Sequence, residues 1–197
     1  VIGHSFGAVT AMRLGGGEHD WEGLSALCDQ GGGRGQVCRA LDEVALLDDG
    51  SHGGIDDRVV STVPMSPGLW YAFGEEGTGL EGVQNPFVLA GGRDEVLTWE
   101  GEAAPVYESL GRPKRIAFFE RAGHYGFSVL CQVIPGFMPE CKGEEDGYED
   151  LDRINDWTNT WVTAHLGETY LNDPRFSDWL NPAASDVLTH VTLSETP

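Results

Sequence analysis

At 197 residues the chain is long enough for one full domain with a proper core. An apolar fraction of 40%, with Trp, Phe and Tyr spread along it, is that of a globular rather than a disordered protein. A formal charge of −20, with Lys114 and Lys142 the only lysines, leaves no basic patch to neutralise phosphates and argues against nucleic-acid binding.

The first seven residues, Val1-Ile2-Gly3-His4-Ser5-Phe6-Gly7, contain a Gly-x-Ser-x-Gly pattern between a short apolar strand and a helix. That pattern describes a nucleophile elbow, in which a strand ending at Ile2 turns sharply at Ser5. Gly3 and Gly7 are expected to remove side chains that would collide with neighbouring elements. The backbone N–H of Phe6, at the start of the helix, would face a developing oxyanion. The helix runs through Leu14 and stops at Gly15-Gly16-Gly17. Residues 18–55 read as an insertion, with helical stretches at Trp21–Leu27 and Val37–Leu47 around a glycine-rich link. Trp21 and Leu24 are expected to form a private core there, with a substrate entrance as the alternative.

Three strand-like runs follow: Val59–Val63, Pro86–Ala90 and Arg115–Phe119, the second continuously apolar as for a strand covered on both faces. A helix is expected from Thr98 to Leu110. The acidic run Glu144–Asp152 precedes an amphipathic helix at Leu151–Leu166, and its charge suits a helix N-terminus better than a calcium loop. Residues 171–197 form a tail with no assigned element. Alternating strands and helices predict an α/β domain with a mostly parallel sheet over residues 1–170. No run reaches the length of a membrane-spanning helix.

The four cysteines fall into two local pairs, Cys28 with Cys38 and Cys131 with Cys141, each closing a short loop. No zinc-ligand spacing accompanies them, and no metal site or cofactor is expected. Two disulfides in an extracellular or periplasmic protein are the expectation, with free thiols in a cytosolic enzyme as the alternative.

Ser5, Asp94 and His124 each stand just past the carboxyl end of a predicted strand, the edge where open parallel sheets bind ligands. Their order along the chain is that of a Ser-Asp-His triad on such a sheet. Ser5 would be the nucleophile, His124 the base that activates it, and Asp94 the group that orients the imidazole. Glu95 is the alternative acid. Asp56 and Asp57 lie at the wrong edge and read as solvated turn residues. His4 is expected to pack inside the elbow, and His19, His52, His165 and His190 to be ordinary surface histidines.

Gly-His-Ser-Phe-Gly-Ala, Gly-Gly-Arg-Asp-Glu and Ala-Gly-His-Tyr-Gly-Phe resemble the dienelactone-hydrolase-like branch of the α/β-hydrolases. That branch is allied to the plasma-type platelet-activating-factor acetylhydrolases and to polyester-degrading hydrolases. The cysteine-bearing insertion and Cys131 are similar to that branch as well. The resemblance spans about Val1 to Leu166 and implies an α/β-hydrolase fold. Two departures stand out. The true dienelactone hydrolases use a cysteine where this chain has Ser5. The acetylhydrolases proper carry their acid one strand earlier, where this chain has Met65-Ser66-Pro67 and no carboxylate.

The resulting expectation is a serine carboxylic-ester hydrolase acting on short acyl esters, lactones or polyesters without a cofactor. The alternatives are an acetylhydrolase of short-chain or oxidised phospholipids and a non-catalytic binding protein of the same fold. The family's second oxyanion donor is implied upstream of Val1. The sequence is therefore expected to be the C-terminal portion of an enzyme, neither stable nor active by itself.

Overall fold

A computed structural model describes residues 1–33, 35–44, 55–186 and 188–197 of the chain. Five strands form one sheet in sequence order: β1 (Ile2–His4), β2 (Val63–Met65), β3 (Phe87–Gly91), β4 (Lys114–Phe119) and β5 (Val191–Thr196). The first four are parallel, and β5 adds antiparallel along the whole of β4, from Lys114↔Thr196 to Phe119↔Val191. The helices are α1 (Phe6–Leu14), α2 (Trp21–Asp29), α3 (Gly35–Val44), α4 (Ala104–Ser109), α5 (Leu130–Val133), α6 (Leu151–Leu171) and α7 (Ser177–Leu180). This is an α/β architecture with a mostly parallel sheet. Among the described residues no helix is long and apolar enough to cross a membrane.

The alternation of side chains along β3 explains its continuous apolar run. Val88 and Ala90 point into a core shared with Val9 and Met12 of α1, Leu24 of α2 and Val106 of α4. Phe87 and Leu89 point the other way, toward Phe119, Ile154 and Trp161 beneath α6. Both faces are covered, so every residue of the strand is buried. Leu24 is 2% exposed and belongs to the main core, not to a private one within the insertion.

Several elements depart from the sequence reading. β1 continues past Ile2 to His4. The β-branched run before β2 joins the sheet only from Thr62, which bridges to Pro86. Upstream of it, Val59 closes a turn onto the carbonyl of Asp56, and the carbonyl of Val60 is taken by the Asn85 side chain. The stretch expected as Thr98–Leu110 is a π turn at Trp99–Ala103 running into α4. α6 extends five residues beyond the expected Leu166, and the tail supplies α7 and β5. Residues 45–47 of the expected Val37–Leu47 helix, and His52, lie outside the described residues.

Both expected disulfides are present, Cys28–Cys38 with Cα atoms 5.6 Å apart and Cys131–Cys141 with Cα atoms 4.8 Å apart. The acidic run acts as a helix N-terminus: the Asp150 carboxylate caps α6 by accepting from the Arg153 amide. Among the described residues no cluster of His, Cys, Asp and Glu is arranged to hold a metal ion.

Candidate active site

The turn after β1 places Ser5 at φ 57°, ψ −123°, a conformation that L-residues adopt only when their surroundings hold them there. Here the Ser5 N–H is tied to the Met65 carbonyl at the end of β2, while its carbonyl accepts from the Ala8 amide inside α1. A Cβ at Gly3 would come within 2.0 Å of the Gly7 carbonyl oxygen, so the strand and the helix can approach this closely only through a glycine. Gly7 itself differs from expectation: a Cβ there would meet nothing within 4 Å. α1 begins at Phe6, whose N–H belongs to the first helical turn and has no acceptor inside the helix.

The loops that follow β3 and β4 bring the other two residues to Ser5. The Ser5 Oγ lies 2.8 Å from Nε2 of His124, and the Nδ1 of His124 lies 2.8 Å from Oδ2 of Asp94. The carboxylate can only accept, so Nδ1 carries the proton and Nε2 is left to accept from the serine hydroxyl. Asp94 is itself fixed, because its Oδ1 accepts from the amides of Val96 and Leu97. His124 and Asp94 are 2% and 4% exposed, which keeps water from competing for these bonds. Glu95, the alternative acid, is exposed. Asp56 is solvated and paired with Arg58, whose hydrogen bonds hold its carboxyl down at about 2.

Two residues support His124 from behind. The Nε2–H of His4 donates to the His124 carbonyl at 2.7 Å, and burial keeps this ring neutral by lowering its pKa. Glu140, 5% exposed, accepts the Tyr125 amide at 2.8 Å. Burial raises its pKa, and the hydrogen bond from Tyr125 works against that rise. Its carboxylate lies so close beneath the histidine loop that a Cβ at Gly123 would sit 2.2 Å from Oε2. The sequence reading assigned Glu140 no role, and the one signal for it was its place next to Cys141, whose bridge ends four residues beyond Phe127 at Cys131. On the other side of Ser5 a cavity of about 400 Å³ opens between Phe6, Val9, Leu69 and Leu97.

The remaining histidines divide. His19 packs half-buried against Phe73 and Trp21, and His190 faces Glu120 near the surface. His165, expected at the surface, is buried at 2% exposure in α6, on the opposite edge of the sheet from Ser5. No protein-family model matches the chain, and no curated protein is significantly similar to it.

Proposed function

We propose that the protein is a serine carboxylic-ester hydrolase of the α/β-hydrolase fold, with Ser5, His124 and Asp94 as its catalytic triad. The observation that carries this reading is the unbroken path from the Ser5 hydroxyl through both ring nitrogens of His124 to a buried carboxylate. Ser5 Oγ attacks the ester carbonyl as Nε2 takes its proton, and Asp94 stabilises the imidazolium that results. The negative oxygen of the tetrahedral intermediate is received by the Phe6 N–H at the positive end of α1. His124 then returns the proton to the departing alcohol, leaving Ser5 acylated. Water repeats the sequence and frees the acid.

Each step needs only the chain's own side chains and water, so no cofactor is invoked. A small-molecule or polymeric ester is the proposed substrate. The absence of a carboxylate at Met65-Ser66-Pro67 weighs against the alternative of a short-chain or oxidised phospholipid. Two disulfides support an extracellular or periplasmic setting. The test is to react the protein with p-nitrophenyl acetate, quench in acid and map the acyl group by mass spectrometry. Acylation of Ser5, lost in Ser5→Ala, is expected. Turnover without any acylated serine would overturn the acyl-enzyme.

A further inference from the structure

The cavity beside Ser5 has three walls of different origin. Val9 comes from α1, and Leu69 and Leu97 come from the loops beyond β2 and β3, all three at most 7% exposed and set in the body of the domain. The third wall is Val37 and Ala40, three positions apart on α3 and so on one face of that helix. Gln36 and Ser5 are the only polar side chains along the cavity among the described residues, and none carries a charge.

α3 is held in this position by packing as well as by a covalent bond, since Val37 and Leu41 lie against the main core. Cys38 is bonded to Cys28 in the last turn of α2, and α2 is anchored by Leu24 in the core and by the Asp20 carboxylate, which caps it through the Gly23 amide. The wall is therefore carried by the insertion and fastened by a covalent strut, while the catalytic groups sit on the sheet.

We propose that the α2–α3 insertion is the specificity element of this hydrolase. In this reading, which rests on the ester-hydrolase assignment above, α3 closes an acyl pocket for uncharged, apolar chains longer than acetyl, and Cys28–Cys38 holds that wall over Ser5. Each methylene removed from water there raises kcat/KM by a factor of about four, so a hexanoyl ester outruns an acetyl ester by well over tenfold. An acyl group bearing its own carboxylate is rejected, because among the described residues no cation lines the cavity to offset the loss of its hydration.

Two measurements test this. The ratio of kcat/KM for p-nitrophenyl hexanoate over acetate is compared in wild type, Ala40→Trp and Cys28→Ser/Cys38→Ser. Ala40→Trp fills the pocket from α3, and the ratio is expected to fall at least tenfold. Freeing α3 by the double substitution is expected to lower it toward one. A ratio within twofold of wild type in a folded Ala40→Trp protein, checked by circular dichroism, overturns the proposal. The second measurement needs no chemistry: binding of 2-octanone to Ser5→Ala by ligand-observed NMR, expected to be lost in Ser5→Ala/Ala40→Trp. Equal binding in both proteins overturns the pocket. If the full-length wild-type protein hydrolyses no ester at all, the hydrolase reading fails alone, and the ketone measurement still decides whether α3 builds an apolar chain site. Should Ala40→Trp not fold, Val37→Ala takes its place, with an octanoate-to-hexanoate ratio at least twofold above wild type expected and an unchanged ratio overturning the proposal.

Discussion

Among the described residues two serine–histidine contacts stand out, one at each edge of the sheet, and their chemistry is opposite. At the carboxyl edge, His124 Nε2 meets Ser5 Oγ at 2.8 Å; at the amino edge, His165 Nε2 meets Ser61 Oγ at 2.9 Å. The distances do not separate them. The third partner does. Nδ1 of His124 faces the Asp94 carboxylate, whereas Nδ1 of His165 faces the Arg115 guanidinium at 3.4 Å.

A guanidinium only donates, so Nδ1 of His165 must accept and its proton sits on Nε2. Nε2 also meets the Asn85 carbonyl at 3.0 Å, which likewise requires a donor there. With Nε2 protonated, His165 has no lone pair to offer Ser61. Burial first, and the Arg115 charge second, push its pKa down to about 4. Arg115 in turn is paired with Glu168 and Glu195. In this molecule the group on the far side of the histidine separates the candidate nucleophile from the structural serine.

The sharpest way to break this contrast is to remove each hydroxyl in turn. Ser5→Ala is expected to lower kcat by roughly 10⁴ or more with the fold intact. Ser61→Ala should leave kcat within about twofold, since it removes one buried hydrogen bond far from the chemistry. A large loss from Ser61→Ala, measured on p-nitrophenyl hexanoate, would show that the amino-edge pair takes part.

Next in size is the carboxylate itself. Asp94→Asn leaves an amide that can present its own N–H to Nδ1 and so favour the wrong tautomer of His124, copying the situation of His165. A loss on the order of 10⁴ in kcat with nearly unchanged KM is expected. Less than a tenfold loss would mean that another carboxylate orients the ring.

Glu140 tests the support rather than the triad. Glu140→Ala unties the Tyr125 amide, and kcat should fall about tenfold at constant KM, in line with the cost of one unmade buried hydrogen bond. Glu140→Gln retains an acceptor oxygen and should restore most of that loss. Equal activity in all three proteins would reduce Glu140 to a bystander.

The last test concerns stability and leaves the rate aside. His165 is held near 4 in the folded protein and titrates near 6.5 once unfolded, so above about pH 6.5 both states are neutral and nothing is lost. As pH falls from there toward 4, the unfolded chain takes up a proton that the folded one refuses. Stability therefore declines through that window by about 3 kcal/mol. Urea midpoints of wild type and His165→Gln at pH 7.5 and 4.5 check this. The variant should lose less stability on acidification, and an equal loss in both would contradict the lowered pKa of His165.

The three side chains that meet at Ser5 were legible because each follows a strand and sits among glycines that permit close loops. Their surroundings were not. His165 meets Ser61 and Asn85 across 104 and 80 residues of chain, and nothing near it in sequence marks it as buried. β5 does show the period of a half-covered strand, with Val191 and Leu193 inward and Thr192 and Ser194 outward. A single six-residue run after a Pro- and Ser-rich stretch gives no partner, however, and only pairing with β4 makes it a strand. The displaced start of β2 has a local cause, since the turn closed by Asp56 and Val59 overrides the β-branched preference of Val59 and Val60. Glu140 lay in a segment where acidic residues are frequent and where Glu149 is buried too, so that only its bond from the Tyr125 amide marks it out.

One measurement bears most directly on the difference between the two edges. The protein is treated with a fluorophosphonate, digested, and every modified serine is mapped by mass spectrometry. A single adduct on Ser5, abolished by His124→Ala and unaffected by His165→Gln, is the predicted result. An adduct on Ser61, Ser66 or Ser128, or labelling of Ser5 that survives the loss of His124, would contradict the account.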